Sequence, residues 1–169
     1  GVNLLYAREN LQRLLPQIER LKPDVILCQE YSPAWDAVLP RALGATHPHR
    51  VLRPRRDAFG AAVFSAKPFE RDPRVFMEEL VGGSPWDDPQ ILIEVSFDGA
   101  PVEIRNVHLL PPRTLDYTRN HRAEMLRLSK LLEQEKLPVI MGGDFNFTEK
   151  TPQAATMAAL GFVDAQDQG

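Results

Sequence analysis

Apolar positions along this chain follow two periods. Leu11, Leu14, Leu15, Ile18 and Leu21 recur at helical spacing and predict an amphipathic helix within residues 4–22, with Asn10 or a polar neighbour as its cap. Pro16 lies inside that pattern and should kink the helix or delay its start, and Pro23 should end it. Residues 25–30 are apolar on both faces and β-branched at their start, as expected of a central strand. Trp35, Val38, Leu39 and Leu43 predict a short helix within 31–45. Residues 59–65 read as a strand broken by Lys67-Pro68, and 74–81 as another, ended by the turn residues Gly82 to Pro85. Two alternating runs, 91–97 and 102–109, flank Asp98-Gly99, a strong hairpin signal. Pro111-Pro112 forces a loop. Ala123, Leu126, Leu128, Leu131 and Leu132 then predict a helix over 116–135, with Asp116 as N-cap and Lys136 as the end charge. Val139 to Met141 read as a fully buried strand, and Thr151-Pro152 opens a last helix that Gly161 stops.

Helices alternating with adjacent strand pairs indicate mixed sheets covered by helices. At 169 residues, without repeats or a flexible linker, the chain is expected to form a single domain over 1–169. No apolar run reaches the ~20 residues of a membrane span, and no signal peptide is visible at Gly1. A soluble monomer without an obligate protein partner is the expectation, with the compartment open.

Charge changes this picture little. The net charge of −3 argues against a strongly basic nucleic-acid binder. One basic cluster, residues 47–56, is expected as a solvated loop; its sharper reading is a rim that attracts a polyanionic substrate. The single cysteine, Cys28, sits in an apolar run and reads as a buried, inert thiol.

The candidate chemistry gathers at strand ends. Glu30 closes the first strand, where a carboxylate is costly without a partner such as a metal or a base, unless the strand has simply reached water. In the second hairpin arm Val102, Ile104, Asn106 and His108 share one face, which becomes polar toward its end. Gly142-Gly143-Asp144-Phe145-Asn146 follows the buried run; Asp144 and Asn146, two apart in extended chain, can face one cleft, or merely form a turn. Arg119, His121 and Arg122 fall near the start of the 116–135 helix, exposed to solvent or with one arginine, Arg122, reaching substrate.

In order, Asn3, Gln29-Glu30, the 59–65 strand, Asn106-Val107-His108 and Gly143-Asp144-Phe145-Asn146 resemble the endonuclease/exonuclease/phosphatase superfamily over nearly the whole chain. Its members include deoxyribonuclease-like nucleases, abasic-site endonucleases, sphingomyelinases and inositol polyphosphate phosphatases. The resemblance implies an α/β, four-layer sandwich of two packed mixed β-sheets flanked by helices. It implies a metal-dependent hydrolase of phosphate esters, with Mg²⁺ or Mn²⁺ held by Glu30, Asn3 and Asp144. Asp144 would orient or deprotonate the attacking water, Asn146 would help to hold it or the metal, and His108 would bind the scissile phosphate, with Asn3 and Asn146 on the substrate side. Two hard carboxylates without zinc-type spacing suit Mg²⁺; a structural Ca²⁺ site would want more carboxylates. The family pattern ends in Ser-Asp-His, whereas all four histidines here precede Asp144. The expectation is a domain incomplete at its C-terminus, with residues 164–167 leading toward missing structure. The alternative is a non-catalytic relative that binds metal or phosphoester without turnover.

Overall fold

A computed structural model describes residues 1–4, 11–77 and 89–165, the side chains of Asn3, Leu11 and Met77 excepted. The Asn10 cap, the end of the 74–81 strand with its turn, and the connector from Gln166 onward lie outside the described residues. The elements run β1 (Val2–Asn3), α1 (Leu11–Leu21), β2 (Val25–Gln29), α2 (Pro33–Asp36), α3 (Leu39–Leu43), β3 (His49–Arg53), β4 (Ala61–Ser65), β5 (Arg74–Met77), β6 (Pro89–Phe97), β7 (Ala100–His108), α4 (Leu115–Glu133), β8 (Val139–Asp144) and α5 (Pro152–Ala159). They fall into two compact units. One comprises Gly1–His108 with Leu137–Asp144, the other Leu109–Lys136 with Phe145–Gly169.

The first unit contains two four-stranded mixed sheets, ordered β1-β2-β4-β3 and β5-β6-β7-β8. The period-2 pattern of β2 explains why both its faces are apolar. Ile26 and Cys28 join Ala62 and Phe64 of β4 in a core with Leu14 of α1, Trp35 of α2 and Leu39 and Leu43 of α3. Leu27 faces the other way and packs with Ala61 and Val63 against Ile91, Ile93, Val95 and Ile104 of the second sheet. The first sheet is thus covered by helices on one face and by the second sheet on the other.

Several elements differ from expectation for readable reasons. The 31–45 segment breaks into two helices, the first started by Ser32, whose Oγ accepts from Trp35 N, with Pro33 next. The basic 49–53 segment is an edge strand, not a loop: Val51 is buried, while Arg50 and Arg53 are exposed. Charged edge strands discourage further pairing. Pro16 is accommodated inside α1. Asp98 (φ 52°) and Gly99 (φ 83°) take the consecutive left-handed conformations of a tight two-residue hairpin turn. Among the described strands β8 pairs only with β7, so Val139 to Met141 are not fully buried, and Ile140 is 51% exposed.

In the second unit, α4 is capped by Thr114, whose Oγ1 accepts from Tyr117 N at 3.2 Å, rather than by Asp116. Its buried residues are Asn120, His121, Glu124, Met125, Leu128, Ser129 and Leu132. Leu126 and Leu131, assigned to the apolar face from sequence, are 57% and 41% exposed. Counting only apolar residues missed that four polar side chains, Asn120, His121, Glu124 and Ser129, are buried with them. Helix α5 starts at Thr151-Pro152 as expected, and Gly161 (φ 87°) follows its end.

Candidate functional site

Strand β2 carries Gln29 and then Glu30 past its C-terminal end. Glu30 has φ 57°, a left-handed conformation that costs a side-chain-bearing residue about 1–2 kcal/mol. Strain of this kind persists where surrounding structure holds it, and it gathers at functional positions. Among the described non-glycine residues only Lys22, Asp98 and Asn146 share it. Lys22 ends α1 and Asp98 forms the hairpin turn; Glu30 and Asn146 were both singled out from sequence for chemistry.

On β7, Asn106 and His108 occupy the face that turns toward the first sheet. Asn106 Nδ2 donates to Cys28 O at 2.9 Å and to Ala62 O at 3.1 Å, and its Oδ1 accepts from Gln29 Nε2. Every polar atom of this buried amide is thereby engaged with the opposite sheet. The sequence reading set Asn106 beside His108 as a pair at a strand's end; the structure gives it the task of joining the strands that carry Glu30 and His108.

His108 is the last residue of β7, and its register partner on the parallel strand β8 is Asp144, the last residue of that strand. Register partners in adjacent strands present their side chains to the same face. Gly143 makes the approach possible. Its φ of +150° and its closeness to β7 exclude any side chain, since a Cβ there would lie 1.7 Å from Val107 O. The His108 ring lies 5.7 Å from that of Phe59, centroid to centroid. Burial pushes its pKa below the usual histidine value, and the charges of Asp144 and then Glu30 pull it part of the way back. Both carboxylates therefore act on one imidazole, within a single unit.

Asn3 pairs with Gln29 through its backbone, which brings β1 alongside β2; its side chain is outside the described residues. Asn146 and Arg122 belong to the second unit. Asn146 Nδ2 donates to Leu109 O at 2.7 Å. Arg122 is exposed on α4, and Arg119 is exposed with Asp116 3.6 Å away. Cys28 is fully buried and its thiol is pushed up to about 12 by desolvation, the chemistry of an inert core residue.

No group of three or more His, Cys, Asp or Glu side chains that could hold a metal ion occurs among the described residues. The donors the site does offer, the carboxylates of Glu30 and Asp144, are hard oxygens of the kind Mg²⁺ takes one or two at a time. His121, expected in the solvent-exposed start of its helix, is instead buried on α4, as is Glu124, which sequence reasoning missed. The available signal was their place in the i, i+3, i+7 series with Leu128.

Two mixed sheets, packed face to face with helices on the outside of the first, define an α/β fold with polar residues at adjacent strand ends. The sequence pattern of the Endonuclease/Exonuclease/phosphatase family matches residues 2–165, and the chain belongs to that family. No curated protein matches it in sequence. Solved structures share its fold. An endonuclease/exonuclease/phosphatase from Beutenbergia cavernae DSM 12333 superposes with a TM-score of 0.74 at 19% identity, over 92% of this chain and 50% of that one. Sphingomyelinase C from Streptomyces griseocarneus gives 0.69 at 17%, over 94% and 65%. A D. rerio TDP2 humanized by 14 mutations gives 0.68 at 16%, over 97% and 66%. The chain thus spans half to two thirds of the length of these proteins. Among the described residues no helix is long and apolar enough to cross a membrane.

Proposed function

We propose that this chain carries the phosphate-handling centre of a Mg²⁺- or Mn²⁺-dependent phosphoesterase acting on a phosphodiester or phosphomonoester. The observation that carries the reading is the register pairing of His108 with Asp144 at the ends of parallel strands, with the charge of Glu30 acting on the same imidazole. Family membership supports the same reaction class, and we treat residues 1–169 as one domain of that family's four-layer sandwich.

Glu30 and Asp144 would hold the metal with Asn3; when bound, the ion would neutralise phosphate charge and polarise the ester. Asp144 orients the attacking water and accepts its proton. His108, kept from ready protonation by burial, donates an N–H to a non-bridging phosphate oxygen, where negative charge grows in the transition state.

An aryl phosphodiester assayed with Mg²⁺ and with chelator tests the metal. Equal rates would refute its role. Asp144→Asn is expected to keep the fold by circular dichroism and to lower turnover by about 10²–10⁴-fold, the usual worth of a general base. Unchanged turnover would remove Asp144 from the reaction. Binding of the diester without turnover by the parent chain would make it a non-catalytic relative.

A further inference from the structure

Glu30 stands in the left-handed region, and such a residue needs neighbours that hold it there. The holding is done one residue on. Tyr31 N donates to Gly60 O at 2.8 Å, and Tyr31 O accepts from Arg55 N at 3.0 Å. The side chain is fixed as firmly. Its ring is fully buried, edge-on to Phe64 with centroids 6.2 Å apart, and its hydroxyl donates to Asp36 Oδ1 at 2.9 Å. Gly60 lies so close that a Cβ on it would stand 1.9 Å from Tyr31 O. With Gln29 held in the ladder against Ala61 and Tyr31 held here, Glu30 makes the bend between them.

Both backbone partners of Tyr31 belong to residues 54–60, which join β3 to β4 and form no strand or helix. Asp57 braces this segment. Its carboxylate accepts from Arg55 Nε at 2.9 Å, from Arg55 Nη2 at 2.7 Å and from Phe59 N at 3.0 Å. The two bonds from arginine are of the forked, charge-assisted kind that fixes geometry as well as energy. The Arg55 guanidinium holds the carboxyl below its usual range, so it is ionised at neutral pH. Phe59, whose amide Asp57 engages, is buried with its ring 5.7 Å from that of His108. One carboxylate thus ties together a loop in which Arg55 and Gly60 grip Tyr31 and Phe59 flanks His108. All of these residues lie in the first unit.

We propose that Asp57 is a positioning residue for Glu30 and His108, acting through the loop between β3 and β4. The inference rests on the phosphoesterase reading for its catalytic consequence. The side chains of Arg55 and Asp57 are 26% and 30% exposed, and ion pairs open to water add little to stability. The pair instead keeps Arg55, Phe59 and Gly60 in one arrangement. Misplacement of a reacting group by about 1 Å can cost on the order of 10²-fold, so a loosened loop should act on kcat rather than on substrate binding.

The experiment compares D57A and R55M, which break the fork, with D57N, which keeps Oδ1 as acceptor for Phe59 N and Arg55 Nε. Three readouts are taken on the whole chain: kcat and KM on the aryl phosphodiester, hydrogen exchange at the Tyr31 amide, and the NMR signal of the His108 Cε1–H, which senses its distance from the Phe59 ring. D57A is expected to lower kcat by about 10- to 100-fold with KM within about 3-fold, to speed Tyr31 exchange by at least about 10-fold, and to shift the His108 signal, with circular dichroism unchanged. R55M should move each readout the same way, and D57N should lie closer to the parent than D57A on all of them. Parental kcat, a Tyr31 amide as protected as in the parent, or an unmoved His108 signal in D57A would each overturn the proposal. Should D57A not fold, R55M decides on the same readouts. If the parent chain shows no turnover, the phosphoesterase reading fails on its own; the Tyr31 and His108 signals then decide, supporting the role of Asp57 if both change in D57A and refuting it if either stays.

Discussion

Replacing Asn106 by leucine should be among the most damaging single changes in the first unit. The side chain is buried and makes three hydrogen bonds across to the other sheet, to Cys28 O, Ala62 O and Gln29 Nε2. Each such bond contributes a net of about 1 kcal/mol, and a buried donor left without an acceptor costs a further ~1–3 kcal/mol. Gln29, only 1% exposed, would be that stranded donor. Leucine is close in volume and returns about 1 kcal/mol through contact with the apolar cluster between the sheets. The expected loss is therefore about 3–5 kcal/mol, a large part of the 5–15 kcal/mol that holds a typical domain together. Urea denaturation followed by circular dichroism measures it: the midpoint should fall while the slope stays constant. Adding Gln29→Leu should cost much less than it does alone, because the stranded donor goes with it, giving a coupling of at least ~1 kcal/mol. A loss under ~1 kcal/mol for Asn106→Leu, or strict additivity with Gln29→Leu, would refute the reasoning. The consequence reaches function, since Asn106 and Gln29 immediately precede the strand ends that carry His108 and Glu30.

Three further outcomes follow from the same geometry. Glu30→Gly relieves a left-handed residue and should raise stability by up to ~1 kcal/mol in urea while abolishing metal-dependent turnover; a variant destabilised by more than that would show that other contacts of Glu30 outweigh its strain. In metal-free protein, His108 titrates below the ordinary ~6.5, so the unfolded chain takes up this proton first and the stability it governs is full above ~6.5 and is lost as pH falls through the depressed folded value. Asp144→Asn should move that value further down, read by NMR titration of the His108 ring; an upward move would contradict the contribution of Asp144. Cys28, with its thiol pushed up to about 12 and no exposed surface, should resist iodoacetamide at neutral pH in the folded chain and react fully in denaturant; rapid labelling of the native state would disprove its burial.

Elements whose polar and apolar residues obey one period were legible in the sequence. The hairpin around Asp98-Gly99 and the Thr151-Pro152 helix start stand where the pattern put them, because the turn and cap chemistry is local. The strand at 49–53 was hidden because its side chains are mostly arginine and histidine, and only Val51 is buried. The N-cap of α4 was misplaced by two residues because Thr114 and Asp116 are both good caps, and the bond from Tyr117 N distinguishes them only in three dimensions. For the candidate site, residue types and order pointed to Glu30, His108 and Asp144, while the left-handed turn at Glu30 depends on backbone geometry that no pattern of letters encodes.

The juxtaposition of His108 and Asp144 follows from how β7 and β8 are connected. Parallel neighbours require a crossover, and the segment between these strands contains α4. A parallel pair with even bond spacing has no tight turn to fix its register, so something else must prevent a one-residue slip, which would carry Asp144 to the opposite face. Gly143 supplies that restraint. Only a residue without Cβ fits beside Val107 O, and sliding β8 by one position would bring Gly142 or Asp144 to that place. Asp144 cannot occupy it, and Gly142 there would push Asp144 beyond the end of β7. The same glycine that lets the strands come together also sets which carboxylate meets the histidine, so Gly143 and Asp144 act as one device in which the first places the second.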